Sequence, residues 1–194
     1  MRLAVLSSTR GTNLIAMVHA IQEKRLNASI EIVISNKKEA LILSRAQSFG
    51  LSTAFVDANG LTREVFDNQV NELLEKHAID LIVLVGYMRI LSGNFVNKWK
   101  NKIINIHPSL LPHFSGKMDL AVHEAVLAAG VSESGCTVHY VTEELDAGPI
   151  ILQKRCAVYA DDTPLSLKER VQALEGEALV EALHRLTKQD LSLE

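Results

Sequence analysis

The sequence predicts an α/β fold: a mostly parallel, twisted sheet with helices on both faces and an antiparallel C-terminal portion. Three observations carry this. Short β-branched runs alternate with stretches of helical spacing through the first half. Leu81 to Val85 is apolar throughout, as in a central parallel strand covered on both faces. Two later runs, Thr137–Val141 and Ile150–Leu152, are close enough in sequence to pair antiparallel.

Leu3–Leu6 reads as the first strand, and Leu14, Ile15, Met17, Val18 and Ile21 recur behind it at helical spacing. Ile30–Ile34 is a second strand, and Glu39–Gln47 a helix ended near Gly50. Ala54–Val56 forms a short third strand, after which Phe66, Val70, Leu73, Leu74 and His77 mark one face of an amphipathic helix. With Leu81–Val85 the rhythm becomes β-α-β-α-β-α-β, which implies right-handed crossovers and a parallel sheet. Ile103–Ile106 is another buried strand, followed by a proline-containing turn from Pro108 to Pro112 and a helix near Leu120–Ala129. Thr163-Pro164 sets a capping hydroxyl before a first-turn proline. Leu167, Val171, Leu174, Ala178, Ala182 and Leu186 carry the helix it starts. Without repeats, low-complexity tracts or a linker, residues 1–194 read as a single domain.

Composition narrows the function classes. Of 194 residues, 47% are apolar and 22% charged, a proportion that excludes a disordered chain. Twenty Lys and Arg against 23 Asp and Glu leave a net charge of −3, so no global basic field recruits nucleic acid. The apolar runs are too short to cross a membrane, and Leu3–Leu6 is too short for a signal peptide. Cys136 and Cys156 lie far apart and form no CxxC pair, which speaks against a disulfide or zinc framework and for the cytoplasm.

Three segments hold residues suited to chemistry. Ser7–Asn13 joins the first strand to the first helix; Gly11 lets backbone approach a ligand, and a helix N-terminus offers unpaired N–H groups to an anion, with Arg10 as added charge. A plain capped turn explains the same residues. Asn105 and His107 stand two apart at the end of an apolar strand and therefore share a face. Carboxyl ends of parallel strands are where such sheets bind ligands. An amide beside an imidazole suits stabilising an oxyanion and moving a proton, although loop backbone could equally satisfy both side chains. In Glu143–Pro149, a carboxylate could orient His107 and raise its pKa, while the residues alone favour a solvated turn. His19, His77, His113, His123, His139 and His184 show no metal-ligand spacing and mostly read as surface or helix-face residues, and Cys136 as a buried, inert thiol.

At Asn105-Ile-His107-Pro-Ser-Leu-Leu-Pro112 the chain resembles the formyltetrahydrofolate-dependent formyltransferases, and within them the branch acting on 5′-phosphoribosylglycinamide. The likeness runs nearly end to end. It includes Gly11–Leu14, Ser35-Asn36-Lys37, Gly86–Leu91, Glu144–Pro149, and Arg170-Val171-Gln172 with Glu175, in order and at the family's spacing. It implies a Rossmann-like formyltransferase domain whose N-terminal half, to about residue 100, binds phosphate, and whose C-terminal half binds folate and carries catalysis.

The implied reaction moves the formyl group of 10-formyltetrahydrofolate, a co-substrate, to the glycinamide amine, with no metal and no covalent enzyme intermediate. By the same resemblance Asn105, His107 and Asp146 are catalytic. Gly11, Thr12, Asn13, Lys102, Gln172 and Glu175 contact the phosphoribosyl substrate. Met88, Arg89, Leu91, Thr142, Glu143 and Glu144 wall the pterin pocket, and Arg63 lies near the folate carboxylate tail. The implied partners are small molecules, neither nucleic acid nor membrane, for a monomer or homodimer. Two segments depart from the family pattern: Ser8-Thr9-Arg10-Gly11 replaces a glycine-rich loop, and Gly116-Lys117-Met118-Asp119 replaces a stretch of small residues and a histidine. The rival expectations are a formyltetrahydrofolate hydrolase, disfavoured because the chain begins directly with the first strand, and a catalytically silent folate or nucleotide module.

Overall fold

The computed structural model describes residues 1–190, so the last four residues of the expected 1–194 domain lie outside the described residues. Seven strands form one sheet in the order β3-β2-β1-β4-β5-β6-β7. Strands β1 (Arg2–Ser7), β2 (Ser29–Ser35), β3 (Thr53–Phe55), β4 (Leu81–Leu84) and β5 (Ile103–His107) are mutually parallel. β6 (Glu133–Tyr140) runs antiparallel to β5, and β7 (Ile150–Ala157) antiparallel to β6. The predicted mostly parallel sheet with an antiparallel C-terminal portion is what the chain builds.

Strand alternation divides the core into two layers. Leu3 and Val5 of β1, Val83 of β4, Ile104 and Ile106 of β5, and Cys136 and Val138 of β6 face one side. There they meet α1 (Thr12–Gln22), α2 (Leu41–Ser48), α5 (Leu120–Ala128) and α6 (Pro164–Asp190). Ala4 and Leu6, Ile32 and Ile34, Ile82 and Leu84, and Ile103 face the other side. That layer is closed by α3 (Arg63–Lys76) and α4 (Gly93–Lys98). Asn105 and His107 follow Ile103 in alternation and so fall on this second face, just past the apolar part of the strand.

Local signals set the helix starts. Thr62 caps α3, its Oγ1 accepting from the Val65 N–H at 3.3 Å, a cap worth about 1 kcal/mol. Thr163 opens α6 as expected, its Oγ1 accepting from the Ser166 N–H at 3.1 Å ahead of the first-turn Pro164. The sequence reading passed over α4, whose cap Ser92 accepts from the Phe95 N–H while Phe95, Val96 and Trp99 are buried. Ser92 is itself held by the buried Asp67, which accepts its N–H at 2.6 Å. Gly11 caps α1 differently: it sits at φ +66° with no side-chain cap, and of the first-turn N–H groups Leu14's donates to the Gly11 carbonyl at 3.1 Å. Among the described residues, no helix is long and apolar enough to cross a membrane.

Candidate active site

A cavity of about 620 Å³ opens at the carboxyl ends of β1, β4 and β5. Its wall draws on the loops after β1 and β4, the end of β5, the segment leading into α5, the loop between β6 and β7, and the first turns of α6. Gly11, Thr12, Asn13, Gln172, Glu175, Met88, Arg89, Leu91, Thr142, Glu143, Asn105, His107 and Asp146, all anticipated from the sequence, line it.

The chemistry converges on the end of β5. His107 is 4% exposed, with Nδ1 3.4 Å from Asp146 Oδ2 and Nε2 3.3 Å from the Phe114 carbonyl oxygen. Both ring nitrogens therefore face acceptors, an arrangement suited to a protonated ring. Burial nevertheless outweighs Asp146 and Phe114 and holds the His107 pKa below its ordinary value. The expected rise from the carboxylate is thus corrected: its attraction is present, but desolvation wins.

Asp146 reaches His107 by a route the sequence hides. The β6–β7 connection is solvent-exposed over most of its length, as a turn would be, but it leaves β6 beside Ile103 and folds back over the face that carries Asn105 and His107 before β7 begins. Two contacts anchor that return: Gly148 lies so close to Tyr140 that an added Cβ would fall 1.8 Å from its carbonyl oxygen, and the Tyr140 N–H donates to the Pro149 carbonyl at 2.9 Å. Asp146 then takes a positive φ of 54°, and its Oδ2 also accepts the Gly116 N–H at 2.8 Å.

The opposite wall is formed by the start of α1 and the α6 helix joined to it. Added at Gly11, a Cβ would lie 2.3 Å from Ile42 Cγ1, so only glycine lets the loop close over α2. Asn13, 4% exposed, donates its amide to Glu175 Oε2 at 2.9 Å, joining the start of α1 to α6. Burial raises the Glu175 pKa above the usual carboxylate range. Ser8 ties the neighbouring loops, donating to Asn36 Oδ1 at 2.6 Å and accepting the Met88 N–H at 2.9 Å. Below, the Arg89 guanidinium stacks 4.2 Å over the Phe66 ring. Leu91, Val96, Val141 and Leu145 supply an apolar flank suited to a flat heterocycle, beside the polar groups of Thr142 and Glu143.

Three expected contacts are not brought to the cavity. Lys102 stands at the opposite end of β5, where its carbonyl accepts from the Ile82 N–H; five residues of strand, about 16 Å, separate it from His107. Glu144 is exposed outside the wall, contributing only its carbonyl, which accepts from Thr142 Oγ1 at 3.0 Å. Arg63, exposed on the first turn of α3, lies off the wall and acts electrostatically on the buried Asp67. Conversely, two histidines read as surface or helix-face residues are buried in the cavity wall. His123 is 1% exposed, and burial pushes its pKa down to about 4. His139, equally buried, is the cross-strand neighbour of Asn105. The Cys136 thiol is buried, its pKa pushed up to about 12, which makes it inert as expected.

An amide, an imidazole and a carboxylate set around one cavity can together stabilise a negatively charged oxygen and move a proton. Over residues 1–183 the chain matches the formyl transferase family, and it belongs to that family. It is 39% identical to the phosphoribosylglycinamide formyltransferase of Escherichia coli (strain K12), covering 90% of this chain and 82% of that one. The human trifunctional purine biosynthetic protein adenosine-3 is 44% identical across 94% of this chain, which spans only 18% of that longer protein. In three dimensions the chain resembles glycinamide ribonucleotide transformylase 1 from Symbiobacterium toebii, with a TM-score of 0.93 at 38% identity over 97% of this chain and 88% of that one.

Proposed function

We propose that this protein transfers the formyl group of 10-formyltetrahydrofolate to the amine of 5′-phosphoribosylglycinamide, in purine biosynthesis. The observation that carries the reading is the convergence of Asn105, His107 and Asp146 between the anion-ready start of α1 and the apolar flank formed by the loops after β4 and β6. The phosphate fits at Gly11–Asn13, at the positive N-terminal end of α1. The sugar fits between this turn and Gln172 and Glu175 of α6. Both halves of the chain thus supply the phosphoribosyl pocket and both supply the folate wall. The pterin of the co-substrate fits against Met88–Leu91 and the Thr142–Asp146 loop.

When the amine attacks the formyl carbon, negative charge grows on the formyl oxygen. Asn105 meets that charge with its amide N–H, and His107 with Nε2–H once substrate takes the place of the Phe114 carbonyl. Asp146 holds the imidazole in orientation through Nδ1 and accepts a proton from the attacking nitrogen, which returns to the leaving folate nitrogen. None of these roles calls for a metal ion. The Rossmann-like topology, small-molecule partners, a monomeric or homodimeric state and a cytoplasmic location belong to the same proposal; the two free thiols suit a reducing compartment.

The test is spectrophotometric release of folate from its 10-formyl derivative, with and without phosphoribosylglycinamide. Release that requires the glycinamide is the expected result. Equal release in water alone would assign a hydrolase instead, and binding without release a silent module.

A further inference from the structure

Asn105 can stabilise an oxyanion only if its amide is turned so that an N–H, not Oδ1, faces the cavity. The two orientations have nearly the same shape, so packing cannot choose between them, and something must read the difference between NH₂ and C=O. The register of β5 and β6 places His139 directly across from Asn105 on the same face. His139 Nδ1 lies 2.9 Å from the Tyr140 carbonyl oxygen, an atom that can only accept, so Nδ1 carries the proton. In the neutral ring Nε2 is then a lone pair, and it lies 3.2 Å from Asn105 Nδ2. Only the NH₂ end of the amide can satisfy it. The titratable groups around the ring are His107 on β5 and Asp146 in the loop above, whose Oδ1 is 3.8 Å from Nε2. Burial, with His107 acting in the same direction, outweighs the Tyr140 hydrogen bond and Asp146 and holds the His139 pKa below its ordinary value, favouring the neutral ring.

We infer that His139 is a positioning residue: its unprotonated Nε2 fixes the Asn105 amide so that one N–H is held by His139 and the other is aimed at the developing oxyanion. The order of command runs from the Tyr140 carbonyl to the His139 tautomer to the Asn105 amide. This rests on the reading of Asn105 as the oxyanion donor given above. His139 does not touch the reacting atoms, so its loss acts on turnover and leaves ground-state binding alone.

The test is a cycle of His139→Leu, Asn105→Ala and the double variant, with His139→Gln as the conservative replacement that restores an acceptor. Removing an oxyanion donor costs on the order of a hundredfold in kcat, so His139→Leu should lose roughly ten- to a hundredfold with both KM values nearly unchanged. His139→Gln should recover most of that loss, and His139→Leu placed on Asn105→Ala should cost almost nothing further. Full kcat in a folded His139→Leu protein, an equal loss in both backgrounds, or no recovery with glutamine would each overturn the inference while leaving the reaction intact. Full kcat in Asn105→Ala would remove the donor role, and the positioning role with it. A readout on the unaltered protein guards against misfolded variants: ¹⁵N NMR of labelled histidine should show His139 protonated at Nδ1 and bare at Nε2, and the reverse tautomer would sink the proposal.

Discussion

Replacing Gly11 with alanine tests the anion site at its most constrained atom. The backbone there is at φ +66°, a conformation that costs an L-residue about 1–2 kcal/mol. The new methyl would stand 2.3 Å from Ile42 Cγ1 and 2.6 Å from its Cδ1, and Ile42 is fully buried on α2 with no room to retreat. Overpacking of this kind adds about 1–3 kcal/mol, so Gly11→Ala should destabilise the fold by about 2–5 kcal/mol in urea unfolding. Relief comes from moving the first turn of α1 away from α2, which spoils the N–H array. The KM for the phosphoribosyl substrate should then rise by roughly tenfold or more, one decade per 1.4 kcal/mol of lost binding, with the folate KM steady. Ile42→Ala supplies the internal control. It should cost less stability in the Gly11→Ala background than in the natural one, because it removes two of the overlapping atoms. Strictly additive costs, or a Gly11→Ala protein as stable as the natural one, would refute the steric argument.

Lys102→Ala should leave both KM values and kcat within about twofold, since about 16 Å of strand separates the side chain from the chemistry. A tenfold rise in the phosphoribosyl KM would return Lys102 to the site. His123 should give acid sensitivity to the fold: its pKa is about 4 when folded and 6.5 in an open chain, so between those values the unfolded state binds more protons and stability falls as pH drops. The full window is worth at most about 3 kcal/mol, and His123→Leu should flatten the slope of unfolding free energy from pH 6.5 to 4. The slope should not vanish, because burial also lowers His107 and His139. An unchanged slope would show that His123 is not the group responsible.

Much of this arrangement is legible in the sequence because it is local. Leu81–Val85 can be read as a covered strand from its composition, and Asn105 and His107 as face-mates from their spacing of two. Thr163-Pro164 announces a helix without reference to anything distant. What could not be read depends on partners far along the chain. His139 looks like any histidine in a strand until register sets it opposite Asn105. Lys102 looks close to His107 in sequence, yet an extended strand turns five residues into its full length. Helix α4 was the one local signal overlooked: Ser92 followed by Phe95, Val96 and Trp99 is a cap and an apolar face compressed into a single turn and a half.

The position of the site follows from two changes of direction in the sheet. Between β1 and β4 the strand order reverses, and the loops leaving these neighbours diverge towards opposite faces, which opens the crevice where Gly11–Asn13 and Met88–Leu91 face each other. A sheet that stayed parallel would offer only loop ends to that crevice. The turn to antiparallel pairing at β6 adds something else: side chains from the middle of a strand. Because β6 runs back along β5, His139 meets Asn105 in the rigid ladder; β7 starts directly beside the end of β6, with Ile150 opposite His139, yet the loop between them recrosses the face on the way. That recrossing brings Asp146 over His107, pinned by the Gly148 contact with Tyr140 at its far end. The amide and imidazole are therefore oriented by backbone pairing, whereas the carboxylate rides on a loop at positive φ with only the Gly116 N–H and the two histidines to hold it. Of the three groups, Asp146 is the one carried by a loop and not by a ladder, and in the proposed mechanism it is also the one that passes a proton between two nitrogens.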